Sequence, residues 1–319
     1  MRRLVLALVR IVILLRYRKL AKYYRRVDMY GRHANPASPR TANDKFFWRK
    51  VFDLDPRYTQ VSDKVGVRDF FKEHDIKVPC PDLLWTGDRA EDIPDDLLAS
   101  GVAVKANHGW ATNIILPEAP PDRAAFNTLA NSFLSKRHAR SRHEWAYFDI
   151  KPTLFVERLV DPLVSETNIF TYNGSIPRVI IRYPQPDGSL LYDNWLRGPD
   201  DTWTCGEPAV KGAIMANQPM PPFVPQMLET ATEIGRHFDF IRVDYLATDT
   251  QCWLGELTVY PGTGQRQGIR SLEDHSENIC WDIRKSRFFE TPQRGWRGLY
   301  QRALLADLNA RAEKANSQD

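Results

Sequence analysis

Two acids interrupt apolar runs in the last third of the sequence: Asp244 in IRVDYL and Glu256 in WLGELTV. Ionised carboxylates are seldom buried unless they are paired or hold a metal. If residues 240–260 form a hairpin with its tip near 248–251, the two acids lie close to opposite each other. Their repulsion then calls for a cation between them. Two facing acids on a sheet make a platform for Mg2+, which takes one or two carboxylates and fills its other positions with phosphate oxygens and water. A buried salt bridge to Arg242 is the alternative. The cations show a complementary pattern. Lys105 follows the apolar run Val102, Ala103, Val104, where an ammonium is costly without a negative partner unless it snorkels to the surface. Lys64 stands near Arg68 in SDKVGVRDF. Each lysine alone reads as well as an ordinary surface side chain. Together with the acids they describe a site for a metal-bound polyphosphate, lysines on phosphate oxygens and carboxylates on metal.

Hairpins and helices must position these groups. Apolar spacing predicts helices over residues 45–52, 63–74, 122–136, 227–238 and 296–314, with Asp63 as cap of the second. Residues 79–96 read as loop. Residues 102–116 read as two strands about a turn at His108 and Gly109, and 153–160 as a strand containing Glu157. Residues 168–183 are two strands about Asn173-Gly174, a strong hairpin signal, and SLLYDNW continues that sheet. Hairpins separated from helices, with few alternating βα units, indicate an α+β fold. The expected divisions are 1–40, 41–152, 153–275 and 276–319.

Composition narrows the function. The 319 residues carry a formal net charge of only +4, which excludes nucleic-acid binding as the primary reading. Charge is concentrated at the start: residues 1–32 hold ten Lys and Arg and one acid, leaving 34 basic and 39 acidic side chains in the rest. Cys80, Cys205, Cys252 and Cys280 form no CxxC pair, which fits a reducing cytosol. His138 and His143 read as surface residues rather than a metal pair.

In the basic head, the apolar run at 4–15 spans about 18 Å as a helix, too short for a hydrocarbon core of about 30 Å. No small-residue cleavage site follows it. An amphipathic helix with arginines on one side suits the surface of an anionic membrane. A helix packed on the protein's own body is the other reading. The expected location is the cytoplasm, peripheral at the inner face of the cell membrane.

The opening NDKFFWRKVFDLDPRYTQVSDKVGVRDF, residues 43–70, resembles the TupA-like branch of the ATP-grasp superfamily. The likeness continues through Lys105, Asn107, His108, Gly109 and Asn113, then Glu157, Asn173 and Gly174. It closes with Arg242, Val243, Asp244, Gly255, Glu256, Leu257, Thr258, Pro261 and Gly262. It covers about residues 41–275. The resemblance implies two α+β lobes with ATP between them, and Mg2+ as cofactor. It implies Lys64 and Lys105 on phosphates, with Asn107, His108 and Gly109 in the turn beside them. Glu157 is then expected on the strand between the lobes, Glu166 at the ribose, and Asp244, Glu256 and Thr258 at the metal. Lys105, Arg242 and Arg266 are the expected catalytic cations. Two features depart from the family pattern: Trp110-Ala111 replaces a flexible Ser-Gly, and PGTG, residues 261–264, replaces Pro-Gly-Gly-Gly.

The implied reaction is an ATP-dependent ligation. A carboxylate-bearing sugar or polysaccharide precursor is activated as an acylphosphate and joined to an amine. Phosphoryl transfer needs positioning and charge neutralisation rather than a protein nucleophile, and no Ser-His-Asp or Cys-His arrangement is visible. Arg178 and Arg182, four apart on one strand face, are further candidates for the carboxylate. A sugar or glycan kinase, or a nucleotide-binding assembly protein without turnover, are the rival readings.

Overall fold

The computed structural model describes residues 1–27, 33–136, 140–208, 212–265 and 280–317. Two mostly antiparallel sheets organise it. The smaller has the order β1-β4-β2-β3, from β1 (Leu83–Gly87), β2 (Val102–Ala106), β3 (Asn113–Leu116) and β4 (Leu154–Arg158). The larger runs β11-β10-β5-β6-β7-β8. Its strands are β5 (Ser165–Tyr172), β6 (Ser175–Pro184), β7 (Leu190–Arg197), β8 (Trp203–Cys205), β10 (Ile241–Ala247) and β11 (Cys252–Thr258). Strand β9 (Ile214–Met215) pairs with β7 in parallel. Mixed helix and antiparallel sheet agrees with the expected α+β class.

Local chemistry explains most of the elements. Helix α3 (Ala42–Phe52) starts three residues before the periodicity suggests, because Thr41 and Asp44 form a capping box. Asn173 and Gly174 have φ of 51° and 87°, which a tight β5–β6 hairpin turn requires. Asp122 caps α7 (Arg123–Ser135) through Ala125 N. The expected helix at 63–74 is the shorter α5 (Val67–Glu73), and a separate helix, α4 (Arg57–Ser62), precedes it. Asp63 lies in the break and its Oδ1 accepts from Val65 N and Gly66 N, so it caps a turn rather than the helix. Strand β1 lies inside the segment read as loop; it has partners only through tertiary pairing with β4.

Side chains divide between two cores. One lies between the smaller sheet and α7, with Val104, Val156, Phe126 and Phe133. The other lies under the larger sheet, with α8 (Val224–Gly235) and the helices before residue 74. Residues 41–152 therefore contribute to both cores, and β4, beyond residue 152, completes the smaller sheet between β1 and β2.

The basic head is two helices, α1 (Arg2–Arg16) and α2 (Arg18–Val27). Leu6, Ile13, Leu20 and Tyr24 are buried in the larger core. Tyr24 stacks on Phe47 at 5.0 Å and its hydroxyl donates to Gly264 O at 2.7 Å. Helix α1 lies along the C-terminal helix Gly295–Asn316, where Arg2 Nη1 donates to Ala306 O. The head thus packs on the body as one expectation had it. His143 is half-buried between Tyr17 and Phe148 rather than on the surface, and His138 lies outside the described residues. Tyr24→Ala is expected to destabilise the protein by about 3–5 kcal/mol, and Tyr24→Phe by about 1 kcal/mol. Urea melts of the full chain check both values; an unchanged midpoint for Tyr24→Ala means the head contributes nothing to the core.

Candidate functional site

A cleft of about 420 Å3 is lined from both sheets. Lys64, Lys105 and the turn from Gly109 to Asn113 form one side; Glu166, Asn168, Arg182, Asp244 and Glu256 form the other. Strand alternation explains the second wall. In the larger sheet Asp244 pairs with Asn168, and Glu166 with Arg182, so these side chains share a face. Their neighbours Ile169, Ile181, Val243 and Leu257 turn into the core.

Asp244 lies directly opposite Glu256 across β10 and β11. A bulge makes this so. Register shifts between Asp244 and Tyr245, so that Tyr245 faces Leu254 and Gly255 is the extra residue. Arg242 serves as the cation between the acids. Its Nε and Nη2 donate to Asp244 at 2.7 and 2.6 Å, and Nη2 lies 3.8 Å from Glu256. Asn168 Nδ2 donates to Asp244 Oδ1 at 2.7 Å. The Thr258 hydroxyl lies 3.0 Å from Asp244 and 3.2 Å from Glu256, and its one proton serves either. Lys64 Nζ approaches Glu256 at 3.5 Å and donates to Gly109 O at 2.5 Å.

Lys105 donates to Glu157 Oε1, an acid from the adjacent strand β4. That pairing is how the ammonium is accommodated at the end of an otherwise apolar strand. Asn107 fastens the surrounding segments together. Its side chain donates to Asp63 Oδ1 and Lys151 O and accepts from Thr153 N, while its carbonyl accepts from Lys64 N. His108 Nε2 lies 3.1 Å from Lys136 O and must carry the proton there. Asn107, His108, Glu157 and Arg242 therefore stand behind the cleft wall, holding its lining, while the Thr258 hydroxyl bridges the two acids.

Among the expected cations, Arg182 lines the cleft and pairs with Glu166 at 2.9 Å. Arg178, two pleat repeats away, is buried and donates to Asn194. Arg266 lies outside the described residues. Trp110 is half-exposed at the cleft, and Ala111 beside it has a φ of 54°. Sequence reasoning missed Asn168. Its signal was parity: two residues from Glu166 on one strand, it must share that face.

Among the described residues there is no group of three or more His, Cys, Asp and Glu able to hold a metal through protein ligands alone. Two carboxylates and the Thr258 hydroxyl do suit a hard cation that brings phosphate oxygens and water as its other ligands.

Two sheets with this topology, meeting at a cleft of lysines and opposed acids, define an ATP-grasp fold. Residues 44–275 match the profile of the family described as TupA-like ATPgrasp, and the chain belongs to that family. Among solved structures it is similar to D-alanine–D-alanine ligase from Bacillus anthracis, at 13% identity over 80% of this chain and 70% of that one, TM-score 0.41. It is also similar to the ATP-grasp ligase PsnB in complex with a phosphomimetic variant of its minimal precursor, Mg and ADP. That match has 14% identity over 80% of this chain and 61% of that one, TM-score 0.40. No match was found among curated proteins.

The two acids carry opposite pH signatures. Burial raises the Asp244 carboxyl above its ordinary value, and Arg242 offsets this only in part. Burial acts on Glu256 too, but Lys64 and Arg242 outweigh it and hold that carboxyl below its ordinary value. Asp244 therefore costs stability progressively as pH rises from 3.8 through its raised folded value. Glu256 contributes stability that is present above 4.5 and is lost as pH falls through its depressed folded value. Urea melts across about pH 3 to pH 7 are expected to show Asp244→Asn gaining on the parent as pH rises and Glu256→Gln falling behind it. Slopes of the same sign for both variants contradict this assignment.

Proposed function

We propose that the protein is an ATP-dependent carboxylate–amine ligase acting on a cell-surface polysaccharide or its lipid-linked precursor. The observation that carries this reading is Asp244 opposed to Glu256 on one wall of the cleft, with Lys64 and Lys105 on the other. Family membership supports the use of ATP, and PsnB is known in complex with Mg and ADP.

ATP enters as substrate. Lys64 and Lys105 bind its phosphates, Glu166 accepts from the ribose hydroxyls, and the Gly109–Asn113 turn lies over the transferring group. Asp244, Glu256 and Thr258 would hold Mg2+, which when bound would neutralise charge that builds on the phosphates during transfer. In the structure each of these cations already has an anionic partner: Lys105 has Glu157, Lys64 has Glu256, Arg242 has Asp244, Arg182 has Glu166. Binding is thus an exchange of partners, which limits the cost of desolvating so many charges. Arg242 orients Asp244, and Arg182 is the cleft cation offered to the carboxylate substrate.

In the first step a carboxylate oxygen of the acceptor attacks the γ-phosphorus and ADP leaves, giving an acylphosphate. In the second an amine nitrogen attacks the carbonyl carbon, phosphate leaves, and the nitrogen gives up a proton to solvent. Fixed positive charge around the transferred group acts more strongly in a partly dry cleft than in water. Lys105→Ala is expected to lose binding to ATP and also some stability, because Glu157 is left without its ammonium.

A screen of ATP-dependent phosphate release across uronic acids, amino acids and amines tests the reading. The expected products are ADP, free phosphate and an amide in equal amounts. ADP with a phosphorylated acceptor and no free phosphate identifies a kinase and defeats the ligase. Glu256→Gln is expected to lower turnover by about 100-fold or more while ATP affinity, by calorimetry, changes far less.

A further inference from the structure

Helix α1 is buried on one side only. Leu6 and Ile13 face the core, yet Leu4, Leu8, Ile11, Val12 and Leu15 are 64%, 54%, 55%, 58% and 57% exposed. At about 100° per residue those five side chains fall within an arc of about 100°, on the side of the helix away from Leu6 and Ile13. The stripe is aliphatic throughout. Exposed Arg3 and Arg16 bracket it on the same helix, and α2 adds exposed Arg18, Lys19, Lys22, Arg25 and Arg26. Residues 1–27 contain nine Lys and Arg and no acid.

We propose that this stripe and its cations dock the folded protein flat on an anionic lipid bilayer, the stripe entering the acyl boundary and the cations meeting headgroup phosphates. Three observations select lipid. Charge complementarity is the first: a set of cations around an apolar stripe, on a segment (residues 1–27) without an acid of its own, matches anionic headgroups. In a second copy of this chain it meets the same cations, which repel. The second is chemistry. The stripe offers no aromatic or hydrogen-bonding anchor of the kind that dominates protein interfaces. The third is length. Helix α1 has 15 residues, about 22 Å, and no described helix is long and apolar enough to cross a membrane, so the stripe lies in the interface plane.

Docking does not require the head to leave the body. Leu20 and Tyr24 hold α2 in the core, and the Tyr24 hydroxyl fastens it to Gly264 in the turn that follows β11. The membrane therefore receives a surface already formed. This docking is independent of the ligase reading, and either can fail without the other.

Cosedimentation of the full chain with phosphatidylcholine vesicles, with and without phosphatidylglycerol, tests it. The expected result is salt-sensitive binding to the anionic vesicles alone. Leu8→Glu combined with Ile11→Glu is expected to weaken that binding at least about tenfold, and reversal of Arg18, Lys19 and Lys22 to glutamate to weaken it similarly. Both sites are exposed, so melting curves are expected to stay near the parent's. Should the double variant fail to fold, Ile11→Trp decides: its emission shifts to the blue on anionic vesicles if the stripe enters lipid. Equal sedimentation of parent and double variant, or no shift for Ile11→Trp, overturns the proposal. So does a parent that is dimeric in solution and a double variant that is monomeric, which assigns the stripe to a second copy.

Discussion

Asp244 and Glu256 face each other across β10 and β11, and the rest of the cleft is arranged around that opposition. Two like charges at adjoining strand positions repel strongly in a partly buried site. The protein answers with Arg242, Lys64, Asn168 and Thr258, so that Asp244 has partners on each side. The answer is uneven. Asp244 remains unfavourable to ionise because burial dominates, while Glu256, nearer to Lys64, is stabilised as an anion. A pair held in this state is neutralised by side chains alone.

The opposite wall depends on a different device. Lys64 and Lys105 come from segments far apart in sequence, a turn between α4 and α5 and the end of β2. Asn107 joins them through bonds to Asp63, Lys64, Lys151 and Thr153. It stands in the family motif beside residues that line the cleft, yet its side chain is spent on holding the wall together. Residues that position a binding group and residues that touch the ligand can thus share one motif. Geometry separates them.

The head shows how a basic segment can be both core and surface. Tyr24 and Leu20 belong to the larger core, and Leu6 and Ile13 extend it along α1. The side of α1 that remains outside is aliphatic. A stable helix needs to bury one stripe only, and here two stripes are apolar. The second one gains nothing from the fold itself.

The alternation of apolar and polar residues, the Asn173-Gly174 turn and the order of motifs determined the α+β class, the hairpins and the family without any coordinates, because these signals are local. Asp244 and Glu256 were legible for the same reason: an acid inside an apolar strand is conspicuous by itself. Other features have no local signal. Strand β1 exists only because β4 pairs with it, and the partner of Lys105 is an acid 52 residues away. The role of Arg182 against that of Arg178 follows from the neighbours each meets, since the two share a strand face. Tertiary structure also decided the register. A regular hairpin running down from Tyr245 and Leu254 sets Asp244 against Gly255, and only the bulge there brings Glu256 opposite instead.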